Sequence, residues 1–261
     1  MLIMASLGVL FYLLATGLVL RRFFSAQTFT PKPALSMAWL AMACHLATLG
    51  MAIMQAQLAQ NMSVLNVASM IALLINLLLT SICQRQNSWI LLPFAYVFSL
   101  VLLFSSMFMP SAYLTNLNSR PGLVLHIALA LLSYAMMSIA SLFALLQLYL
   151  NYQLKQRRKL NLQNVPPLLS IEKQLVRLLQ TGGVLLTLSI SSGFIFLDNM
   201  LAPGNLDKAG LSVIAWCLYA TLLWGHYRRG WRGQRLVVMT LTGNVLLALA
   251  YFGSRLLQQL Y

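Results

Sequence analysis

Three histidines are the side chains of this sequence best suited to chemistry, because each lies in or at the end of a long apolar stretch. They are His45, His126 and His226, and the chain has no other histidine. A neutral imidazole binds metal ions well, whereas a polar group buried in hydrocarbon without a partner is costly. For any one of them, a hydrogen bond to a neighbouring helix is the simpler explanation. The presence of all three in such stretches favours a cofactor held by imidazole nitrogen.

Other kinds of reactive site have little support in the sequence. Cys44, Cys83 and Cys217 form no C-x-x-C or C-x-x-C-H motif, so neither a zinc ribbon nor a covalently attached haem is predicted. No Asp, Glu, Lys or Arg lies in the middle of an apolar stretch, and we find no Walker loop, Ser-His-Asp arrangement or paired carboxylates. We therefore expect a binding, transport or assembly protein and not an enzyme.

The elements that must position the histidines are membrane-spanning helices. Of the 261 residues, 60% are hydrophobic and 8% are charged, whereas about a quarter of the residues in a soluble domain carry charge. About 20 apolar residues cross a bilayer as a helix. No stretch alternates with a period of two, as barrel strands do. We predict an all-α polytopic bundle of eight spans, near residues 2–20, 34–54, 62–83, 88–109, 122–150, 179–199, 208–227 and 236–257.

The distribution of basic residues predicts the orientation of this bundle. Lys and Arg are retained on the cytoplasmic side of short loops. With both termini outside, only Arg120, Lys208 and Arg255 of the 17 basic residues lie outside. The net charge of +14 is then a consequence of topology, and no nucleic-acid partner is expected.

The loops between the predicted spans are short, so we predict a single integral-membrane domain over residues 1–261. The first stretch is followed, not preceded, by basic residues, so we expect it to stay as an anchor. Between Leu168 and Leu179, apolar residues at helical spacing predict an interfacial amphipathic helix leading into span six. We also expect Pro93 to kink span four, and the Gly182-Gly183 pair in span six to permit close helix packing.

The predicted depths divide the histidines into two groups. His45 lies about 16 Å from the cytoplasmic start of span two, at about 1.5 Å per residue. His226 lies within about a turn of the cytoplasmic end of span seven, and His126 lies near the outer start of span five. His45 and His226 therefore belong to the inner half of the membrane, and His126 belongs to the outer surface.

Two imidazoles without a carboxylate or thiolate beside them suit haem iron better than zinc or calcium. Leu, Met and aromatic residues surround the inner histidines and match an apolar macrocycle. Arg228, Arg229 and Arg232 follow His226 and are candidates for pairing with haem propionates. For each of these arginines taken singly, placement of basic residues at the cytoplasmic surface is the better explanation.

Three segments carry a resemblance to a known family. They are HIALALLSYA, which begins at His126, LLWGHYRRGWRG, which contains His226, and LNVAS, from Leu65 to Ser69. They resemble segments of the cytochrome c assembly membrane proteins, a family that includes CcsA, CcmC and HemX-like haem-handling proteins. The likeness extends over residues 35–257 in the order expected for the family.

The resemblance implies a multi-pass haem-handling protein of the bacterial inner membrane. In the family, two membrane-embedded histidines hold haem in the bilayer, and outer histidines beside a Trp-rich loop present it outside. By this likeness His45 and His226 match the membrane pair, and His126 matches the first outer ligand. The implied cofactor is haem of the b type, bound non-covalently. The implied partners are the lipid bilayer, haem and another membrane protein.

One segment departs from the family. Between Asp198 and Lys208 the chain has neither the outer Trp-rich loop nor a second outer histidine. A transporter or accessory membrane subunit that keeps the helical bundle without haem is therefore the alternative function.

Overall fold

The structure is a computed structural model, and nearly all of the residues it describes are helical. It describes residues 1–24, 31–54, 60–86, 88–109, 113–115, 117, 120–156, 166–197 and 206–253. The helices are α1 (Leu2–Phe24), α2 (Pro31–Ile53), α3 (Val64–Gln86), α4 (Leu92–Phe108), α5 (Pro121–Lys155), α6 (Leu168–Phe196), α7 (Leu206–Arg229) and α8 (Gln234–Ala248). A 3-10 turn, Trp89–Leu91, precedes α4, and a π-helical turn, Leu249–Gly253, follows α8.

Within these residues, eight helical segments are long and apolar enough to cross a membrane, and they have 20 to 35 residues each. Each overlaps one of the predicted stretches, because Leu- and Ala-rich sequences form helices readily and only helices satisfy a lipid-exposed backbone. The all-α, eight-helix membrane fold is confirmed. The predicted ends of span six at residue 199 and of span eight at residue 257 lie outside the described residues.

The chain forms two compact units. The first comprises Met1–Ser119 with Asn161–Pro166, and the second comprises Arg120–Leu160 with Pro167–Tyr261. Unit 1 therefore contains α1 to α4, and unit 2 contains α5 to α8. That the whole chain forms one integral-membrane domain stays a prediction.

In unit 1, α1 packs against α2 and α4, while α3 packs against the same two helices. Small buried residues such as Ala15 in α1 and Ala41 in α2 allow close approach. A Cβ atom at Gly8 would lie 3.1 Å from Leu103 Cδ1 and 3.5 Å from Cys44 Cβ, so this glycine sets the spacing beside His45.

A short antiparallel pair of strands, which the sequence analysis did not predict, also lies in unit 1. Strand β1 (Gln60–Asn61) pairs with β2 (Leu114–Thr115). The Asn61 Oδ1 atom accepts a hydrogen bond from the backbone N–H of Tyr113 at 3.0 Å, which reinforces the pairing. Strands of two residues are too short for an alternating pattern to reveal them.

In unit 2, α5 packs along α6 and α8, and α7 packs against α6 and α8. Glycine again permits close contact. A Cβ at Gly182 would lie 3.0 Å from Met137 Cε of α5, and one at Gly243 of α8 would overlap the ring of Tyr219 of α7. The predicted role of Gly182 in helix packing is confirmed.

One sequence-based expectation is confirmed in part, and another needs correction. The segment 168–179 is helical, and it forms the first part of α6, which runs without a break from Leu168 to Phe196 with its stripe, including Ile171 and Leu175, buried. That this part lies at the membrane interface stays a prediction. Pro93 does not kink a helix interior. It lies in the first turn of α4, where its missing N–H leaves no helical hydrogen bond unmade.

Candidate functional site

His45 lies near the middle of α2 and is completely buried, with 0% of its surface exposed. Its Nδ1 atom is 3.2 Å from the hydroxyl oxygen of Tyr12 in α1. Its Nε2 atom is also buried and has no hydrogen-bond partner among the described residues. One side of the ring is therefore held in place, and the other side presents an unused polar atom.

The contact with Tyr12 belongs to a wider polar cluster in unit 1. The Asn76 amide nitrogen of α3 donates to the Tyr12 hydroxyl at 3.0 Å and to Ser99 Oγ of α4 at 2.7 Å. The Asn76 Oδ1 atom is buried and has no hydrogen-bond partner among the described residues. Each of the four helices of unit 1 thus contributes one side chain to what we call the His45 cluster, namely Tyr12, His45, Asn76 and Ser99.

The hydrogen-bond directions in this cluster define two forms of His45. Because the Asn76 amide donates to the Tyr12 oxygen, the Tyr12 hydroxyl is free to donate to Nδ1, which would leave the proton of His45 on Nε2. Alternatively, Nδ1–H donates to the Tyr12 oxygen, and Nε2 then carries a lone pair. The second form is the one that a metal ligand requires, since the ring nitrogen opposite a metal donates its hydrogen to an oxygen.

His226 lies in the last turn of α7, where its Nδ1 atom is 2.8 Å from the carbonyl oxygen of Trp231. Because a carbonyl can only accept, Nδ1 carries the hydrogen, and in the neutral ring Nε2 then carries the lone pair. The backbone N–H of Trp231 donates to the Gly225 carbonyl at 3.1 Å. Gly225 is required here, because any Cβ at this position would overlap the Trp231 ring. Gly230, with a φ of +65°, allows the chain to turn back.

His226 also lines a cleft of about 250 Å³ in unit 2. Its walls include Lys173, Arg177 and Arg232, with Leu169 and Val176 as apolar neighbours. We call this the basic cleft. Arg232 Nε lies 3.3 Å from Glu172 Oε1, which also lines the cleft.

The three arginines predicted to meet haem propionates have different surroundings. Arg232 lines the basic cleft together with His226. The Arg229 guanidinium stacks 4.9 Å above the Trp224 ring. Arg228 is exposed and does not line the cleft. The structure therefore brings one of the three together with His226.

His126, in the second turn of α5, is partly buried and bonded to α6. Its Nδ1 atom lies 2.9 Å from the Ser189 carbonyl oxygen and 3.3 Å from Ser192 Oγ. The cleft beside His226 contacts α6 no further than Gln180. Since Gln180 and Ser189 are about 14 Å apart along a helix, His126 and His226 occupy different levels of unit 2.

Tyr12, Asn76 and Ser99 were not predicted from the sequence. Charged residues and histidines are conspicuous within an apolar span, whereas these three partners of His45 are an amide and two hydroxyls. The signal was present, because Asn76 lies at the centre of the apolar run LLINLLLT. Among the described residues, no three His, Cys, Asp or Glu side chains come together as a metal site would require.

The sequence of the chain matches that of a known protein family. The sequence profile of the family described as cytochrome C assembly protein matches residues 32–261. The chain belongs to the cytochrome c assembly protein family. All three histidines lie inside the matched range, whereas Tyr12 precedes it.

Two relatives illustrate the range of this family. The inner membrane protein YpjD of Escherichia coli (strain K12) is 44% identical over 224 residues, which cover 85% of this chain and 85% of that protein. The cytochrome c biogenesis protein CcsA of Prochlorococcus marinus (strain MIT 9215) is 27% identical over 157 residues, or 52% of this chain and 51% of that protein. No solved structure matches the chain. The chain is thus a multi-pass inner-membrane member of the cytochrome c assembly family.

Proposed function

We propose that this chain binds haem within the bilayer and handles it for other proteins, without catalysing a reaction of its own. The observation that carries the proposal is the buried His45 ring, whose Nε2 atom has no hydrogen-bond partner among the described residues. An unsatisfied buried polar atom destabilises a fold by about 1–3 kcal/mol. A ligand bound at Nε2 would remove this cost.

The donor chemistry fits haem iron. A neutral imidazole in apolar surroundings, with its other nitrogen tied to an oxygen, is the usual form of an axial haem ligand. A structural zinc site requires about four ligands, and the described residues offer no cluster of even three. Because the chain has no C-x-x-C-H motif, the haem would be bound non-covalently, as a b-type haem.

His226 is the ligand candidate of unit 2, as His45 is that of unit 1. Its Nδ1 atom is bonded to the Trp231 carbonyl, so Nε2 is free to coordinate. The sequence-based candidates for pairing with the propionates are still Arg228, Arg229 and Arg232, of which Arg228 and Arg229 do not line the basic cleft. His126 is a possible outer ligand through Nε2, because its Nδ1 atom is bonded to α6.

The decisive experiment is an absorbance spectrum of the protein purified in detergent from cells supplied with a haem precursor. We expect a Soret band, and a reduction of haem occupancy of about 10- to 100-fold in ligand variants, the range seen when metal sites lose a supporting group. The variants are His45→Ala and His226→Ala. Thr48→Ala is the matched control, since Thr48 is buried on the same helix and its hydroxyl donates a hydrogen bond to the Cys44 carbonyl of that helix. Absence of haem, or unchanged occupancy in both histidine variants, would overturn the proposal.

A haem-free accessory subunit is the second candidate function. His126 favours it, because the contacts of its Nδ1 atom with Ser189 and Ser192 join α5 to α6 and give this histidine a structural role that needs no haem. The same purification separates the two candidates. A stoichiometric membrane-protein partner without any chromophore would favour the accessory role.

A further inference from the structure

We propose that the basic cleft binds the phosphate of an anionic phospholipid. The inference goes beyond haem binding and does not require it. The cleft has a volume of about 250 Å³, and three cationic side chains line it, namely Lys173, Arg177 and Arg232. Basic pockets between transmembrane helices are typical sites for anionic headgroups.

The positive charge of the cleft exceeds the negative charge that the described residues bring to it. Glu172 is the only acidic residue of the chain whose side chain the structure describes. Its Oε1 atom is 3.3 Å from Arg232 Nε, and its Oε2 atom accepts a hydrogen bond from Gln147 at 3.3 Å. Both carboxylate oxygens are therefore engaged. Lys173 and Arg177 have no carboxylate partner among the described residues.

These contacts also fix the geometry of the site. The Glu172 carboxylate holds Arg232 at the rim, and Gln180 donates a hydrogen bond to the Tyr227 hydroxyl between α6 and α7. Lys173 and Arg177 are four residues apart on α6 and therefore lie on one face of the helix. A phosphate can accept from both side chains at once, because arginine offers a planar fork and lysine a compact ammonium group.

The surroundings favour an amphiphile over a free ion. The apolar Leu169, with 56% of its surface exposed, lies beside the cations in the same cleft. Further along α6, the exposed side chains Val184 and Leu188 are apolar. A headgroup bound among the cations can therefore place its acyl chains along this apolar helix surface, which a free phosphate would leave bare.

The test is a titration of haem-free protein in detergent with dioctanoyl phosphatidylglycerol or dioctanoyl phosphatidylcholine, followed by the shift in unfolding temperature. We expect stabilisation by the anionic lipid alone. For the double variant K173Q/R177Q, we expect the half-saturating lipid concentration to rise about fivefold for each charge removed, because one basic residue near an anionic surface is worth about 1 kcal/mol. The charge-conserving variant K173R/R177K should retain the response.

A matched control variant also removes two positive charges, but from residues outside the cleft. Arg21 and Arg85 are exposed basic residues in the last turns of α1 and α3, outside the cleft. The variant R21Q/R85Q should bind the lipid like the wild type. An equal loss in both double variants would show general surface attraction and overturn the proposal.

Two further arms identify the source of the anion. Inorganic phosphate that stabilises the protein as much as phosphatidylglycerol does would overturn the assignment to lipid. Haem that displaces the lipid, together with loss of haem in K173Q/R177Q, would assign the cleft to haem propionates and also overturn it. Lipid binding by a protein that shows no Soret band even when it is purified from cells supplied with a haem precursor would support the lipid site while refuting the proposed haem function.

Discussion

The three imidazole rings share one hydrogen-bonding arrangement. In each, Nδ1 meets an oxygen: the Tyr12 hydroxyl for His45, the Ser189 carbonyl for His126 and the Trp231 carbonyl for His226. An oxygen at one nitrogen orients the ring and leaves the other nitrogen available, as in metal-bound imidazoles. His45 is distinguished by complete burial, because water cannot satisfy its Nε2 atom.

Replacing Tyr12 with Phe tests whether the hydroxyl positions His45. We expect a loss of about 1 kcal/mol in the free energy of unfolding, because the variant leaves the buried Nδ1 atom without its partner. If His45 ligates haem, the variant should also shift the haem reduction potential, since the hydroxyl tunes the basicity of the ligand. Detergent-based unfolding and a redox titration of the Soret band measure the two effects.

The matched control is Tyr96→Phe. The Tyr96 hydroxyl is also buried and lies 2.9 Å from Thr80 Oγ1, so its removal breaks a bond of the same kind. We expect a similar loss of stability and an unchanged reduction potential. Equal potentials in the wild type and Tyr12→Phe would refute the positioning role, whatever the stability.

Gly225 should tolerate no side chain. In Gly225→Ala the new Cβ would overlap the ring of Trp231. The backbone carbonyl of the same residue accepts the hydrogen bond from His226. Overpacking of this kind destabilises by about 1–3 kcal/mol. Gly210 of the same helix has nothing within 4 Å of a Cβ, so Gly210→Ala should show no loss. The unfolding curves of both variants measure the contrast, and comparable losses would contradict this explanation.

At the scale of the elements, the sequence was sufficient for the number and type of helices but not for all of their limits. Apolar length and composition determine spans because the bilayer imposes one length scale. The continuity of α6 could not be read in this way. Its polar residues Glu172, Lys173 and Arg177 resemble those of a surface helix, while the apolar stripe of the same segment is buried in unit 2.

The candidate site was predictable only in part, for a related reason. A histidine in an apolar run is conspicuous as a residue type, so His45 could be selected from the sequence. The partners of His45 come from positions 12, 76 and 99, on three other helices. Such long-range pairing of hydroxyls and amides leaves no local pattern in the sequence. Polar residues of these kinds also occur in spans where the side chain forms a hydrogen bond with the backbone of its own helix, as Thr48 does with the Cys44 carbonyl.

Close packing between α5 and α6 depends on one glycine of an adjacent pair. A Cβ at Gly182 would lie 3.0 Å from Met137 Cε and 3.3 Å from Met136 Cβ, whereas one at Gly183 would find only Leu223 Cδ1, at 3.7 Å. We expect Gly182→Val to lower the free energy of unfolding by about 1–3 kcal/mol. Gly183→Val, the same change one residue later, should be milder. Unfolding in mixed micelles compares them, and a reversed order would refute the assigned packing role.

At the scale of the whole molecule, the charge distribution suggests how the chain sits in its membrane. Basic residues lie in the last turns of α1, α3, α5 and α7. These four helices alternate with α2, α4, α6 and α8 along the chain, so we expect their last turns to lie on the same side of a membrane that every helix crosses. That side is expected to be the cytoplasm.

Cysteine labelling in intact cells tests this orientation. In a chain whose native cysteines are replaced by alanine, single cysteines are placed at exposed positions near helix ends, namely Met54, Arg85, Leu114 and Arg228. A membrane-impermeant maleimide should label positions 54 and 114 directly, and positions 85 and 228 only after permeabilisation. The reason is that retention of Lys and Arg in the cytoplasm places both chain ends outside. The reverse labelling would invert the topology, and identical labelling at positions 54 and 85 would show that α3 does not cross the membrane.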